Sequence, residues 1–495
     1  MKRLATIMMI CVSISAAAQN TEIHLDLQQA IELAHDQSLA ALLAKHNFLV
    51  SYWQYRTYTA QYLPSLSLDG NLGRYNRSIV QLQNYETGEM TYANNNNLQN
   101  SLSLSLKQNL ALTGGTLSVT TYLNRLDQYS PLRSTTFNSN PVSVNYSQPL
   151  NSYNSLKWDK VIEPKRYEMA KKQYIESMLS ISKSVVDLFF GLINAQNDVD
   201  IARESKNNAD TMYDIARKRF AIGAISKDEL LQLELRAYND SISIKDNELS
   251  ERMAMQRLRN YLGFNETVEI IPELPHSRPE VQLSIDDVFD KVRQNSPDLL
   301  ETQISALSAE QEVARAKANT GLTASLYAQF GLNQVGAEVK EAYRNPLDQE
   351  IMGISFSIPI VDWGLGAGKV KIARSQQKVT EANIQQTINN IKEDITYKVL
   401  QFNLQGGQCD VSAKASEISQ KRYESAKERF VSGSVNVTEL NNAQSEMNAS
   451  RSRYYQDLCN YWVYYYNIQE MTLYDYINDC NVEEDFDVLI ERRKF

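Results

Sequence analysis

Few residues in this chain have the types and spacing that chemistry requires, and each candidate fails on detail. WGLGAGKV (363–370) places three glycines and a lysine between a strand-like run and a helical one. Backbone N–H groups cradle a phosphate in that context. A P-loop needs Gly at the position of Trp363 and Ser or Thr at the position of Val370, and the dinucleotide fingerprint needs Gly where Lys369 stands. The corresponding stretch 210 residues earlier, YNSLKWDK (153–160), has no glycine at all. A strand-to-helix turn is the simpler reading. His24, His35 and His46 recur at eleven-residue intervals, which puts them on one face if that region is a continuous helix. Eleven residues of helix span about 16 Å, too far for one metal ion. No histidine has a partner at ligand spacing and the cysteines form no zinc pattern. Nothing nominates a catalytic nucleophile, so the chain reads as no enzyme, with no cofactor and no metal.

The first residues, MKRLATIMMICVSISAAAQN, carry a Lys2-Arg3 head, an apolar stretch and small residues at Ala16 and Ala18. That is the pattern of a secretory signal over 1–18, cleaved after about Ala18. Cys11 falls inside it, leaving Cys409, Cys459 and Cys480. Three widely spaced cysteines are no disulfide framework; three buried thiols are expected, with one pair as the alternative. The formal net charge is −9 and no basic cluster exists, so nucleic acid is a poor partner. No uninterrupted apolar run approaches the roughly 18 residues of a spanning helix. A membrane-spanning β-structure stays open.

The elements that must position any site come in two copies. LDLQQAIELAHDQSL (25–39) matches LSIDDVFDKVRQNSP (283–297) in pattern, and PSLSL (64–68) matches LTASL (322–326), both at an offset of 258. VNYSQPL (144–150) matches ISFSIPI (354–360), and RFAIGAISKDEL (219–230) matches RFVSGSVNVTEL (429–440), both at an offset of 210. The 48-residue difference falls between residues 68 and 144, so the first copy carries 48 extra residues in its strand region. The copies are expected at 22–263 and 283–470, joined by a Pro-rich linker (264–282) containing Pro272, Pro275 and Pro279, and followed by a tail at 471–495. The fold class is mainly α with β: two tandem repeats of helix, strands and long helices.

Ile384, Ile388, Ile391, Ile395, Val399 and Phe402 recur at steps of three and four, as do Ile181, Val185, Leu188, Leu192, Ala195, Val199 and Ala202. This seam is a coiled-coil pattern. The helix after Trp363 has room for about 60 residues, roughly 90 Å, and needs neighbours along its length. The strand regions alternate instead. SLSLSLKQNLAL sets Leu102, Leu104, Leu106, Leu110 and Leu112 against Ser101, Ser103, Ser105, Lys107 and Asn109. Four strands are expected in the first copy, near 65–75, 101–112, 116–126 and 141–150, and others within 323–360 in the second. Their length suits tilted membrane strands with one face to lipid; an ordinary half-buried sheet is the alternative. The loop NYETGEMTYANNNNLQN (84–100) is polar and suited to solvent.

The repeated RF-x-x-G stretch is a helix-to-helix turn. Gly223 and Gly433 supply positive φ at the end of one helix. Ser226 with Glu229 spells a capping box for the next helix, and Asn436 with Glu439 an approximate one. Phe220 and Phe430 are expected to pack at the hairpin ends, leaving Arg219 and Arg429 available to partners.

Duplication, the YLPSLSL entry (62–68), the QPL and IPI exits and the paired tips together resemble the TolC family of outer-membrane efflux proteins over about residues 22–470. The resemblance implies a homotrimer in the outer membrane of a Gram-negative bacterium. Its strands would share one β-barrel in the lipid, continued by an α-helical barrel in the periplasm. It would be the passive exit duct of a tripartite efflux or type I secretion system, with a periplasmic adaptor (membrane fusion protein) and an inner-membrane pump as partners. The tip turns, with Arg219, Phe220, Gly223, Glu229, Arg429, Phe430 and Gly433, would meet the adaptor. The family's constricting acidic ring falls on Glu439, and its second acidic position on Asn442, thinning that ring. The family's locking arginine corresponds to Val435. Glu439 is equally explained by helix capping. The family unit supplies two strands, so either the barrel here holds six strands per chain or the extra hairpin lies outside the wall. A structural coiled-coil protein of the envelope is the alternative function.

Overall fold

The computed structural model describes residues 21–491 except 84–87, 131, 266–267, 275–277 and 433. The signal segment 1–18, Pro275 and the first four residues (84–87) of the expected polar loop therefore lie outside the described residues; from Met90 onward that stretch is strand rather than loop, because its backbone pairs with residues 74–83. In chain order the elements are β1 (Thr21–Leu25), α1 (Leu27–Gln37), α2 (Leu39–Ala60), β2 (Ser65–Gln83), β3 (Met90–Leu110), β4 (Gly115–Ser130), β5 (Ser134–Pro149), α3 (Ser155–Ala221) and α4 (Lys227–Leu262). Then follow β6 (Val268–Pro272), α5 (Ile285–Asn295), α6 (Pro297–Ala318), β7 (Thr323–Gly336), α7 (Val339–Ala342), β8 (Leu347–Ser357), α8 (Leu365–Val431), α9 (Val437–Thr472), β9 (Tyr474–Asp475), β10 (Cys480–Asn481) and α10 (Phe486–Glu491). The fold is mainly α with β. Helix lengths repeat: 11 residues in α1 and α5, 22 in α2 and α6, 67 in α3 and α8, 36 in α4 and α9.

The chain divides into two compact units. The first comprises Met1–Leu49, Ala170–Pro297 and Ile388–Phe495. Its core is the helical seam: Ile181, Val185, Leu192, Val199 and Ala202 from α3, with Ile395, Val399 and Phe402 from α8, are all buried. An 18-residue window of α3 has mean hydropathy 1.4, enough for a span by composition, yet more than half of it is buried inside the molecule, as in a core helix. Part of the expected linker is strand: β6 pairs in parallel with β1, from Thr21↔Val268 to Leu25↔Pro272. The tail also folds, with Phe486 of α10 packing on Phe48 (ring centroids 4.9 Å apart) and Tyr174.

The histidines do not share a helix. His24 lies on β1, while Ser38 ends α1 in extended geometry at ψ 148, separating His35 from His46. His35 Nε2 sits 3.0 Å from the Met178 carbonyl and 2.9 Å from Ser182 Oγ. Burial pulls its pKa down, partly offset by that carbonyl. Cys409 and Cys459 are buried free thiols, pushed up by burial to about 11 and about 12. Cys480 is free but exposed, against the expectation of three buried thiols, because β10 belongs to a small surface hairpin.

The second unit comprises Val50–Met169 and Asp298–Thr387. It contains one antiparallel six-stranded sheet in the order β2-β3-β4-β5-β7-β8. All four strands of the first copy are in it, so the extra hairpin is part of the sheet. Pairing assigns whole rows to each face. Ser67, Ser105, Thr120, Ser143, Gly331 and Gln349 are aligned on one face, and Leu66, Leu106, Val119, Val144 and Phe330 on the other. The hydroxyl row is hydrogen-bonded: Ser67 Oγ lies 2.8 Å from Ser105 Oγ. The apolar row is exposed throughout.

Where β8 gives way to α8, Asp362 closes the helix start. Its carboxylate accepts from the Gly364 N–H (2.9 Å) and the Gly366 N–H (2.8 Å), which hold its pKa below the usual carboxylate range. The N–H groups that a phosphate would need are thus occupied by the chain's own carboxylate, and WGLGAGKV is a turn.

Candidate functional site

The two repeated turns join α3 to α4 and α8 to α9. In the first, Gly223 has φ +74, and Ala224 N donates to Arg219 O at 2.9 Å, the helix-ending bond that requires a left-handed residue. In the second, Ser434 N donates to Arg429 O at the same 2.9 Å, the equivalent bond; Gly433 lies outside the described residues. Ser226 then starts α4 with a full capping box: Glu229 N donates to Ser226 Oγ (3.2 Å) and Ser226 N donates to Glu229 Oε2 (2.9 Å). Asn436 starts α9 by accepting from Glu439 N (2.8 Å), without the reciprocal bond.

The Glu439 carboxylate instead faces the Arg429 guanidinium at 3.6 Å, with both side chains about half exposed. This corrects the box expected at Asn436 and Glu439, and it leaves Arg429 engaged rather than free. Arg219 is engaged too. Its guanidinium lies 5.4 Å from the centroid of the Phe430 ring and donates to the Phe430 carbonyl at 3.4 Å, so the first turn clasps the second. The two phenylalanines differ. Phe430 is buried in a cluster with Met212, Ala216, Leu233, Tyr423 and Leu440, whereas Phe220 stands 41% exposed. Asn442, one turn beyond Glu439, is exposed. Val435, at the position of the family's locking arginine, is buried and carries no charge.

Sequence reasoning missed the polar contacts behind the turns. Gln444 is buried; it accepts from Arg236 Nη2 at 3.0 Å and donates to Ser205 Oγ at 3.1 Å, tying α9 to α4 and α3. Arg422 pairs with Glu446 between α8 and α9. These residues sit at no motif; only the helical periodicity, which places Gln444 with Leu440 and Met447 on an inward face, hinted at the first. No metal-binding cluster exists among the described residues.

A sheet that is apolar on one face and hydroxyl-lined on the other, set within two copies of a long-helix hairpin, defines a membrane channel fold rather than an enzyme. Solved channels share it. The outer membrane channel CmeC of Campylobacter jejuni aligns with a TM-score of 0.66 at 15% identity, covering 94% of this chain and 88% of that one. VceC of Vibrio cholerae, an outer membrane protein, aligns at 0.62 and 13%, covering 90% and 95%. The open-state MtrE channel of Neisseria gonorrhoeae gives 0.57 and 13%, covering 90% and 88%. No curated protein sequence matches the chain. The model of the outer membrane efflux protein family matches residues 115–264 and 288–461, well over half of the chain, and the chain belongs to that family. It is an outer-membrane efflux channel of a Gram-negative bacterium that extends into the periplasm and works in a tripartite system with an adaptor and a pump; it is not an enzyme.

Proposed function

We propose that the protein acts as a homotrimer and forms the passive exit duct of its tripartite system, with the two repeats spanning 22–263 and 283–470. The observation that carries this reading is the sheet. Its apolar row of Leu66, Leu106, Val119, Val144 and Phe330 is exposed, while the paired row on the opposite face consists of hydroxyls, glycine and amides. Such a sheet suits lipid on one side and water on the other. An envelope coiled coil has no use for it.

The turns are the parts offered to the adaptor. Arg429 and Phe220 present exposed surface there, and Phe430 with Gly223 sets the shape of the hairpin ends. Glu439 is the aperture residue: in three copies its carboxylates would converge, repel one another and draw cations, with Asn442 adding no charge. Electron microscopy of the detergent-extracted protein, viewed from the side and along the axis, tests the duct. Three-fold hollow particles are expected; solid or monomeric particles would overturn the reading.

A further inference from the structure

Where the sheet ends and the long helices begin, the chain holds apolar side chains away from itself. Trp363, between β8 and α8, is 96% exposed and Ile360 is 92% exposed. Leu63, Leu112 and Leu322, at the same end of other strands, are exposed as well. Trp363 also has φ 56, in the left-handed region. A bulky residue is an outlier there, whereas glycine sits there without strain, and strain of this kind persists where a function retains it. Asp362 fixes the turn that holds the ring out, because its carboxylate accepts from the Gly364 and Gly366 N–H groups.

The helix that follows carries charge of one sign. From Leu365 to Thr380, α8 has Lys369, Lys371, Arg374 and Lys378 and no acidic residue. All four are exposed, and none makes an ion pair among the described residues. Such a start disfavours the helix on its own account. Cations are unfavourable at a helix N-terminus, and Arg374 shares a face with Lys371 and Lys378 at steps of three and four, where like charges repel. The fold does not require it, as the first copy shows. At an offset of 210, Tyr153, Asp159, Val161, Pro164 and Glu168 stand where the second copy has Trp363, Lys369, Lys371, Arg374 and Lys378. Tyr153 is tucked in: its hydroxyl accepts from Gln311 Nε2 at 2.5 Å, and the Arg315 guanidinium lies 4.9 Å from its ring. The same strand-to-helix junction is thus built once without an exposed tryptophan or a cationic row, and once with both.

We propose that residues 360–374 form a phospholipid anchor: Ile360 and Trp363 sit in the periplasmic leaflet of the outer membrane, and Lys369, Lys371 and Arg374 bind the phosphates of anionic phospholipid headgroups there. This rests on the reading above that the sheet crosses the membrane. The exposed apolar side chains of β8, Ile354 and Phe356, run on toward Ile360 and Trp363, so the lipid-facing surface continues into the junction. Tryptophan is enriched at the boundary between hydrocarbon and water, where its ring meets the headgroups. The cations stand at a matching depth. Lys371 and Arg374 lie about 9 and 14 Å along the helix from Leu365, and helical side chains lean toward the N-terminus, here back toward the sheet. Basic residues beside a membrane surface draw anionic lipid. Asp362 already takes the N–H groups at the helix start, so the headgroups meet side chains rather than backbone.

The test gives the detergent-extracted full chain, stripped of lipid, equal amounts of phosphatidylglycerol and phosphatidylcholine, and counts the bound lipid by native mass spectrometry. A preference of about tenfold for phosphatidylglycerol is expected. It should fall to near parity when Lys369→Gln, Lys371→Gln and Arg374→Gln are combined, and survive Lys157→Gln with Lys160→Gln at the start of α3. Parity in the unaltered protein, or a preference that survives the triple substitution, would overturn the proposal. So would a triple variant that loses its oligomer but keeps its lipid preference, since the surface would then be a contact between copies. Millimolar inorganic phosphate is expected to leave the bound lipid in place; its displacement would mark a site for the free anion. Trp363→Gly relieves the backbone strain and should fold even if the triple variant does not. It is expected to retain several-fold less phosphatidylglycerol, and unchanged retention would count against the anchor. Electron microscopy of the same samples separates the two readings: hollow three-fold particles without lipid preference remove the anchor alone, and particles that are not ducts remove both.

Discussion

The sequence offers Glu439 as a helix cap or as an aperture residue, and in the structure its carboxylate does not make the cap. The cap of α9 is made by the Asn436 side chain, which accepts the Glu439 N–H; the Glu439 carboxylate turns to Arg429 instead. Replacing Glu439 by Ala keeps the backbone N–H and hence the cap. Glu439→Ala is therefore expected to leave thermal stability within about 0.5 kcal/mol, the usual range for an exposed ion pair, and to weaken divalent-cation block of channel conductance. Unchanged block, read by bilayer recording over a calcium or magnesium titration, would remove Glu439 from the aperture. His35 is a second residue with a readable sign. Burial holds its folded pKa below the 6.5 of the free side chain, so the folded state binds fewer protons than the unfolded one. The stabilisation is complete above about pH 6.5 and is lost as the pH falls from there toward the depressed folded value. Melting curves should shift down through that window, and His35→Gln should flatten the shift.

At the scale of elements, the turn between α3 and α4 is built twice over, by a positive-φ glycine and a reciprocal cap. Ser226→Ala removes the hydroxyl that accepts from the Glu229 N–H, while the backbone N–H at 226 can still donate to Glu229 Oε2; it should cost about 1 kcal/mol, seen as faster amide exchange in the first turn of α4. Unaltered exchange at 227–230 would mean the hairpin is held by its packing alone. The duplication was legible because it is written locally: the same apolar spacing, the same caps at fixed offsets, and helix lengths that agree to the residue between the copies. What escaped was non-local. β6 reads as a proline-bearing linker because its strand character depends on β1, more than 240 residues earlier in the chain. The clasp of Arg219 on Phe430 joins two motifs that the sequence shows only as equivalent, never as touching. The break after α1 has no glycine or proline to mark it, so the histidine spacing read as one helix. Asp362, which excludes a phosphate at WGLGAGKV, stands one residue before the motif.

For the whole molecule, the decisive distinction is between the two faces of the sheet, because the bilayer reads it directly. Ile354 and Ser355 are neighbours on β8, paired with Leu326 and Ser325 of β7, so one points to the apolar face and the other to the hydroxyl face. Ser355 Oγ lies 2.6 Å from Ser325 Oγ, inside the polar ladder. A lysine on the lipid face costs about 2–4 kcal/mol near the bilayer midplane, and three protomers incur it together. Ile354→Lys should therefore impair insertion and assembly, read as loss of the oligomer from the outer-membrane fraction. Ser355→Lys places the same charge in water and should assemble normally while shifting the open channel toward anions. If instead Ser355→Lys were excluded from the membrane and Ile354→Lys tolerated, the faces would be assigned the wrong way round, and with them the side of the wall that meets lipid. If both assembled equally well, the sheet would not be in the membrane at all. The charge is identical in the two variants, so only the direction of the side chain separates them, and that direction follows from register, since adjacent residues of a strand point to opposite faces.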